Sequence, residues 1–448
     1  MTFSSRLPKY SIEKHLLSKY GRSLCYAAVL TTSLLAVLAG CGGATSAATG
    51  PVTPPAPVPD SVWVASWADA PSTSAGGSGS ERTFREIVKP SVGGRGVMRL
   101  SFSNYFGASE VTLGAVHVGI QTTGASVSDD TPVTFNGAPS ITIPPGGSTL
   151  SDNVALGYSY GQLLSVTEYV RGSWANLTSH AQGVNVVTNY QTVDVAGDKT
   201  QDLAGVSFTQ TTLNTYLLNR VDVYGNYKET IPAFGSSTTD GYQSGLDKHK
   251  TYPEQLADAL HAAGHDDIAV ANVGIYGTTV LGISPIAGLN RFTRDVVSLP
   301  GVSTVIDYLG ANDLRNDCVP ADALILGKQS VIVMAHAAGL KIYEGVTAPS
   351  TFCGTQSPNG FGTRFAQGSG EDAQRFLLNT WQTSTVPSVV NGTTVQPPQS
   401  DGVIDFNSVL ADKTNLSYMI PMLDSGDDIH PNAIGYGEMV RAIPLSQF

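Results

Sequence analysis

Serine, histidine and aspartate are the residue types of nucleophilic catalysis, and the second half of the chain carries all three beside predicted strand ends. Ser237 lies in the Gly- and Thr-rich stretch 235–241, where a tight turn after an apolar strand exposes a hydroxyl. His430 follows Asp427 by three residues, so one loop can deliver both side chains. Each also has an ordinary structural role, because serines in such turns and aspartates near His-Pro commonly only cap or bond to the backbone.

Two further segments supply candidate donors for a negatively charged oxygen. Gly277 follows the predicted strand Ile268–Val273, and a glycine there lets a backbone N–H approach a ligand closely. Asn312 follows the predicted strand Val302–Leu309 and places a side-chain amide at the same edge. Because ligand sites of parallel sheets lie at the carboxyl ends of the strands, we expect these groups to lie close together.

The elements that must position these residues fall into two regions. Residues 62–226 read as short strands separated by Gly/Pro turns such as 144–147, which predicts an all-β domain of the sandwich or jelly-roll type. Residues 227–448 alternate apolar strands with amphipathic helices. This alternation predicts an α/β domain with a parallel sheet and right-handed crossovers.

The four segments around Ser237, Gly277, Asn312 and His430 resemble the four sequence blocks of SGNH, or GDSL-type, hydrolases. They occur in the family's order and at family-like spacing, and the resemblance covers about 231–443. Upstream, the segments 63–67 and 99–107 look like the β-domain that precedes the catalytic core in one bacterial subset. The resemblance implies a flavodoxin-like parallel sheet flanked by helices and the hydrolysis of carboxylic esters.

It also implies a catalytic triad. Ser237 matches the family nucleophile, His430 the general base, and Asp427 the acid that fixes the imidazole tautomer. The spacing of three residues favours Asp427 over its neighbours Asp428 and Asp424. Such a reaction proceeds through an acyl-enzyme.

The implied oxyanion hole consists of the backbone N–H groups of Ser237 and Gly277 and the side-chain amide of Asn312. Two positions depart from the family pattern. Ser236 stands where the family usually has an aspartate, and Pro232 lies inside the strand that leads to the nucleophile, where it removes a ladder hydrogen bond.

The amino terminus reads as an export signal. Basic residues precede an apolar run, about Leu24–Leu38, that is short for a membrane span, which predicts a signal peptide over 1–40. The run ends at Cys41 in a segment that resembles a bacterial lipobox, which implies lipidation of that thiol; an ordinary signal peptide or a short anchor are the alternatives. Residues 41–61 read as a Pro-, Gly- and Ala-rich tether. We expect a periplasmic or cell-surface lipoprotein, otherwise a secreted protein, that contacts the membrane only through its lipid.

Composition and the remaining residues bear on the partners, the cofactors and a possible disulfide. The chain has 25 basic and 36 acidic residues with no basic stripe, which excludes a nucleic-acid partner. No metal-ligand spacing and no phosphate-binding loop occurs, so no metal or organic cofactor is expected. Cys318 and Cys353 are an isolated pair after the predicted signal and suggest a disulfide beside the site. His180 could face the site across the domain junction, although a structural role is favoured.

The sequence therefore predicts an exported ester hydrolase for short acyl or acetyl esters, such as those of carbohydrates. The insertion 351–370, rich in Gly, Ser and Phe, is expected to form part of the substrate wall. Two alternatives stay open. One is a glycan-binding surface lipoprotein with an inactive hydrolase domain, and the other is an acyltransferase with the same triad. The natural ester and the oligomeric state stay open as well.

Overall fold

A computed structural model describes residues 61–74, 77–181, 186–350 and 370–448. The predicted signal with Cys41, the tether up to residue 60, Cys353 and residues 351–369 of the insertion lie outside these ranges. The predictions made for those segments, the Cys318–Cys353 disulfide included, therefore stay predictions. Within the described ranges, no helix combines the length and apolar character needed to cross a membrane.

β-Structure fills the described chain from Val62 to Gly225. Its strands are β1 (Val62–Ala68), β2 (Thr73–Ser74), β3 (Ser78–Val88), β4 (Gly94–Arg95), β5 (Met98–Ser103), β6 (Val111–Gln121), β7 (Val127–Val133), β8 (Ile141–Ile143), β9 (Ser148–Leu150), β10 (Gly157–Tyr158), β11 (Leu164–Ala175), β12 (Thr178–His180), β13 (Asn189–Gln191), β14 (Gln210–Thr212), β15 (Thr215–Tyr216) and β16 (Leu218–Gly225).

Two antiparallel sheets dominate this region. One has the order β1-β16-β5-β9, and the other has the order β14-β13-β3-β11-β6-β7 with β8 paired to β6. Alternate residues of β5, such as Leu100 and Phe102, share one apolar core with Val116 and Val118 of β6. Two sheets that bury their inner faces against each other are the arrangement of a sandwich.

The second region contains a parallel sheet, as the sequence predicts. Its strands are β17 (Glu229–Gly235), β18 (Ile268–Asn272), β19 (Thr304–Tyr308), β20 (Lys341–Gly345), β21 (Ser388–Val390), β22 (Thr393–Val395), β23 (Gly402–Ile404), β24 (Ala411–Asp412) and β25 (Asn415–Met419). The order β18-β17-β19-β20-β23 is parallel throughout, and β21-β22 and β24-β25 are separate antiparallel pairs.

Helices cover both faces of the parallel sheet. They are α1 (Ser237–Asp240), α2 (Tyr252–Ala262), α3 (Gly288–Phe292), α4 (Ala311–Arg315), α5 (Ala321–Ala337), α6 (Gly370–Gln382), α7 (Phe406–Leu410) and α8 (Ala433–Arg441). Successive residues of β17 serve opposite cores: Ala233 packs with the α2 and α8 side, and Phe234 packs with the α3 and α5 side. The prediction of a parallel α/β sheet preceded by a β-rich region is therefore confirmed.

A capping box in the sequence explains where α2 begins, whereas the sequence pattern does not predict where α3 ends. The Thr251 hydroxyl accepts the N–H of Glu254, and the Glu254 carboxylate accepts the N–H of Thr251, which is a complete capping box. The sequence predicts one helix near 291–299, whereas α3 ends at Phe292 and continues as a π-helical turn, Thr293–Val297. Such turns depend on tertiary contacts and are not visible in an apolar repeat.

Strand β1 joins the two regions because it is buried on both faces. Val64 lies in the core of the β-region, whereas Ala65 and Ala68 lie in the core between the parallel sheet and α5. The Ala65 N–H donates to the Thr230 hydroxyl of β17 over 2.9 Å. β1 therefore contributes side chains to the cores of both regions, although its strand partner is β16.

Pro232 lies in β17, which pairs with β18 on one side and β19 on the other. Thr230 forms an isolated bridge with Val302, before β19, and pairing with β19 itself begins only at Ala233, so the ladder is interrupted beside the proline. This interruption is the one expected for a residue without an N–H, and the strand still reaches Gly235.

A buried lysine lies beneath the sheet. Lys328 of α5 is fully buried, and its ammonium lies 2.8 Å from carboxylate oxygens of both Asp307 and Glu344 and 3.0 Å from the Leu309 carbonyl. Burial opposes the charge, but the two carboxylates raise the pKa of Lys328 above its ordinary value. The negative charge of the buried Asp307 and Glu344 is therefore balanced only while Lys328 is present.

Replacing this lysine should destabilise the fold strongly. We expect Lys328→Met to lower the free energy of unfolding by about 3–5 kcal/mol, because two buried carboxylates lose their counter-charge. Lys341→Met, at an exposed position of β20, should change it by no more than about 0.5 kcal/mol. Urea unfolding of both variants measures the difference, and similar values for the two would contradict the assignment.

Candidate active site

Ser237 lies where the central strand ends. β17 stops at Gly235, Ser236 precedes the helix with φ −106°, and Ser237 is the first residue of the short helix α1. Its hydroxyl oxygen lies 2.8 Å from Nε2 of His430, although the two residues are 193 positions apart. The strand-to-helix turn therefore places the hydroxyl beside the imidazole.

The loop before α8 holds the imidazole. Asp427 Oδ2 lies 2.6 Å from His430 Nδ1, while Asp427 Oδ1 accepts the backbone N–H groups of Ile429 and His430 at 2.9 and 2.8 Å. An ionised carboxylate can only accept, so Nδ1 carries the hydrogen and Nε2 presents a lone pair to the Ser237 hydroxyl. The neighbouring Asp424 accepts the N–H groups of Gly426 and Asp428 instead.

The charge of Asp427 is stabilised by these bonds. Burial alone would raise its pKa, but the His430 side chain and the two N–H groups outweigh burial and lower the pKa of Asp427 to about 2. The carboxylate is therefore ionised at any pH near neutrality, as an orienting acid requires.

Asn312 is oriented by its own neighbours at the end of β19. Its Oδ1 accepts from Arg315 Nη2 over 2.8 Å, and its Nδ2 donates to the Thr278 carbonyl over 2.8 Å. An arginine can only donate, so the amide nitrogen faces the opposite side from Arg315. Asn312 and Ser237 line the same pocket, which leaves the second hydrogen of Nδ2 for a ligand there.

The loop after β18 is attached to the same helix, α4. Gly277 has φ +73°, a conformation that glycine adopts without strain, and the next residue is the Thr278 that Asn312 binds. Asp313 accepts the N–H groups of Val280 and Leu281 over 2.8 and 2.9 Å. Burial raises the pKa of Asp313 to about 6, although these two N–H groups oppose the shift. Helix α4 therefore fixes the distance between Asn312 and the loop that carries Gly277.

Arg291, which the sequence does not single out, bonds to two strand ends beside the site. Arg291 is fully buried, and its guanidinium donates to the carbonyls of Gly235 and Val273 over 2.7 Å each, so it clamps the ends of β17 and β18. Nothing in the sequence distinguishes Arg291 from a surface arginine of an amphipathic helix. Only the tertiary fold shows this contact.

An aromatic pair lies beside the imidazole. The Tyr242 ring centroid is 4.5 Å from that of His430 and 5.2 Å from that of Tyr276. Tyr276 is 45% exposed and is thus available to a ligand. The pocket that the described residues form beside Ser237 is small, about 10 Å³, which is room for about one water molecule.

A comparison with known protein families supports the predicted class of chemistry. Residues 233–437 match the family model of the GDSL-like Lipase/Acylhydrolase family. These residues form a GDSL-like lipase/acylhydrolase domain. The prediction of an ester hydrolase of this type is thereby confirmed. No curated protein is significantly similar to the chain.

Solved structures similar to about half of the chain come from several bacteria. A protein of the G-D-S-L family from Desulfitobacterium hafniense is 20% identical over 48% of this chain and 99% of its own, with a TM-score of 0.34. A GDSL-like lipase from Bacteroides thetaiotaomicron is 16% identical over 49% and 87%, with a TM-score of 0.34. A carbohydrate acetylesterase family member from Sinorhizobium meliloti is 18% identical over 48% and 94%, with a TM-score of 0.35.

The structure brings together the predicted site residues Ser237, Asp427, His430 and Asn312, with Gly277 on the loop bound to Asn312. Their catalytic roles are treated below as a proposal. Among the described residues, no group of three or more His, Cys, Asp or Glu side chains could hold a metal ion.

The low pKa of Asp427 predicts a pH-dependent contribution to stability. A carboxylate whose pKa falls from 3.8 to about 2 on folding stabilises the protein above pH 3.8, and this contribution disappears as the pH falls toward 2. We expect the loss of unfolding free energy in Asp427→Asn to be full at pH 6 and to shrink steadily between pH 4 and 2. Urea unfolding at several pH values measures this difference. A difference that does not change with pH would show that the carboxylate is not paired.

Proposed function

We propose that the protein is an exported carboxylic ester hydrolase that acts through Ser237, His430 and Asp427. One observation carries the proposal: the continuous contacts from the Ser237 hydroxyl to His430 at 2.8 Å and from His430 to Asp427 at 2.6 Å. All three side chains are largely buried, so the contacts are shielded from bulk water. Export rests on the signal-like amino terminus, and lipidation on Cys41.

The geometry supports the following reaction. Ser237 Oγ attacks the ester carbonyl while Nε2 of His430 takes the hydroxyl proton, and Asp427 stabilises the imidazolium. The tetrahedral oxyanion accepts hydrogen bonds from the N–H groups of Ser237 and Gly277 and from Asn312. His430 then gives its proton to the leaving alcohol, and the acyl group stays on Ser237. A water molecule, deprotonated by the same imidazole, releases the acid and restores the serine.

The shape of the site supports a small acyl group and a ring-shaped alcohol. The pocket that the described residues form beside Ser237 is narrow, which favours a short acyl group such as acetyl over a long one. Because His430 must reach the leaving oxygen, the alcohol has to lie near Tyr242 and the exposed Tyr276. Aromatic faces bind flat, apolar surfaces, including those of sugar and aryl rings. We therefore favour short-chain esters of carbohydrates or aryl alcohols.

The decisive experiment follows the acyl-enzyme. Native protein mixed with p-nitrophenyl acetate should release a burst of nitrophenol and should be labelled covalently by a fluorophosphonate. Ser237→Ala should lose the label and about 10⁶-fold in kcat, because the nucleophile is gone. Ser236→Ala is the matched control: it removes the adjacent hydroxyl, which makes no capping bond, and should keep both burst and label. A glycan-binding protein with an inactive domain would show neither in its native form.

The amide of Asn312 can be tested separately. We expect Asn312→Ala to lower kcat by about 10²–10³-fold with little change in KM, because the donor acts mainly on the transition state. Steady-state kinetics on the same ester measure both constants. A rise in KM with unchanged kcat would instead assign Asn312 to substrate binding.

A further inference from the structure

His180 connects the β-region with the acylhydrolase domain. It ends β12 and is almost fully buried. Its Nδ1 lies 2.7 Å from the Ala70 carbonyl oxygen and 2.9 Å from Asp69 Oδ1, and its Nε2 lies 3.2 Å from Asp240 Oδ1. Ala70 and Asp69 follow β1, whereas Asp240 is the last residue of α1, the helix that begins at Ser237.

The partners of His180 determine its protonation. In the described part of the chain, the partners of both ring nitrogens are acceptors, namely a carbonyl oxygen and two carboxylates, so both nitrogens carry a hydrogen. Burial opposes the resulting positive charge, but Asp69 and Asp240 outweigh it and raise the pKa of His180 well above its ordinary value. The imidazolium thus neutralises two carboxylates that belong to different regions of the fold.

Asp240 also bonds to the loop after β18 that carries Gly277, called the oxyanion loop below. Its second oxygen, Oδ2, accepts the backbone N–H of Tyr276 over 3.1 Å, and its carbonyl accepts from Asn272 Nδ2 over 3.3 Å. The loop packs tightly against α1: a Cβ atom at Gly274 would lie 2.2 Å from the Asp240 nitrogen. Tyr276 directly precedes Gly277. One carboxylate therefore links the nucleophile helix, the oxyanion loop and His180.

We propose that His180 is a positioning residue for the ester hydrolysis. It holds Asp240 so that the loop carrying Gly277 keeps its position against α1, the helix that begins at Ser237. This inference rests on the proposed function, and it assigns the β-region a direct part in shaping the oxyanion hole. Removing His180 leaves two buried carboxylates without their shared cation, and their mutual repulsion shifts Asp240 together with Tyr276.

The first test separates positioning from general stability. His180→Ala should lower kcat on p-nitrophenyl acetate by about 10–100-fold while KM stays within about twofold, because a displaced donor weakens the transition state and not substrate binding. His180→Gln, whose amide can still donate to Asp240, should recover part of the loss. Rates are measured well below the melting temperature of each variant.

Thr230→Val is the matched control. Thr230 is fully buried and also connects β1 with the parallel sheet, since its hydroxyl accepts from Ala65 N and donates to the Pro300 carbonyl over 2.8 Å. It has no contact with Asp240 in the described structure. Thr230→Val should lower the melting temperature and keep kcat within about twofold. An equal loss of kcat in Thr230→Val, or an unchanged kcat in His180→Ala, overturns the proposal.

Hydrogen–deuterium exchange gives a readout that needs no catalysis. His180→Ala should speed exchange in the peptide containing Tyr276 and Gly277, whereas Thr230→Val should not. If native protein hydrolyses no ester, the proposed function fails, and this exchange alone decides whether His180 positions the loop. Unchanged exchange in His180→Ala refutes the connection. If His180→Ala does not fold, the same measurements on Asp69→Asn, which weakens the hold on His180 isosterically, decide in the same directions.

Discussion

The hydrogen bond between the Ser237 hydroxyl and His430 depends on two separate loops being held in one place, because chain connectivity does nothing to bring them together. The serine is fixed by the end of β17, and the histidine by a loop that Asp427 bonds to its own backbone. A third contact ties the loops' helices to each other: the Tyr436 hydroxyl of α8 donates to the Tyr242 carbonyl, just after α1, over 2.6 Å. A shift of either helix would lengthen the hydrogen bond between Ser237 and His430.

Buried cations at the carboxyl ends of the strands maintain this arrangement. Arg291 bonds the carbonyls that end β17 and β18, and Lys328 bonds the Leu309 carbonyl beyond β19. His180 bonds Asp240 at the end of α1. A buried ion pair adds little net stability compared with an apolar core, because desolvation offsets the attraction. The hydrogen bonds of these cations are directional, so they fix the positions of backbone groups, which an apolar side chain could not do.

The sequence predicts those parts of the site that depend on local pattern and order along the chain. Strand ends, the Ser237 turn and the Asp427–His430 loop are local, so their residues could be named before their contacts were seen. The contacts of Arg291 and His180 are different in kind. Each joins positions far apart in the sequence, and an isolated arginine or histidine carries no local signal of its partner. The π-helical turn after α3 was missed for the same reason, because tertiary packing overrides helical periodicity.

The way the β-region meets the acylhydrolase domain bears on what that region does. A strand that presents a binding surface exposes one face, but β1 is buried on both, and its inward residues toward the parallel sheet are the small Ala65 and Ala68. Small residues permit close approach of backbones, as inside a single core. Among the described residues of the β-region, His180 contacts α1 through Asp240, and both of its ring nitrogens lie within hydrogen-bond distance of acceptors. These features are those of a structural support for the strand ends.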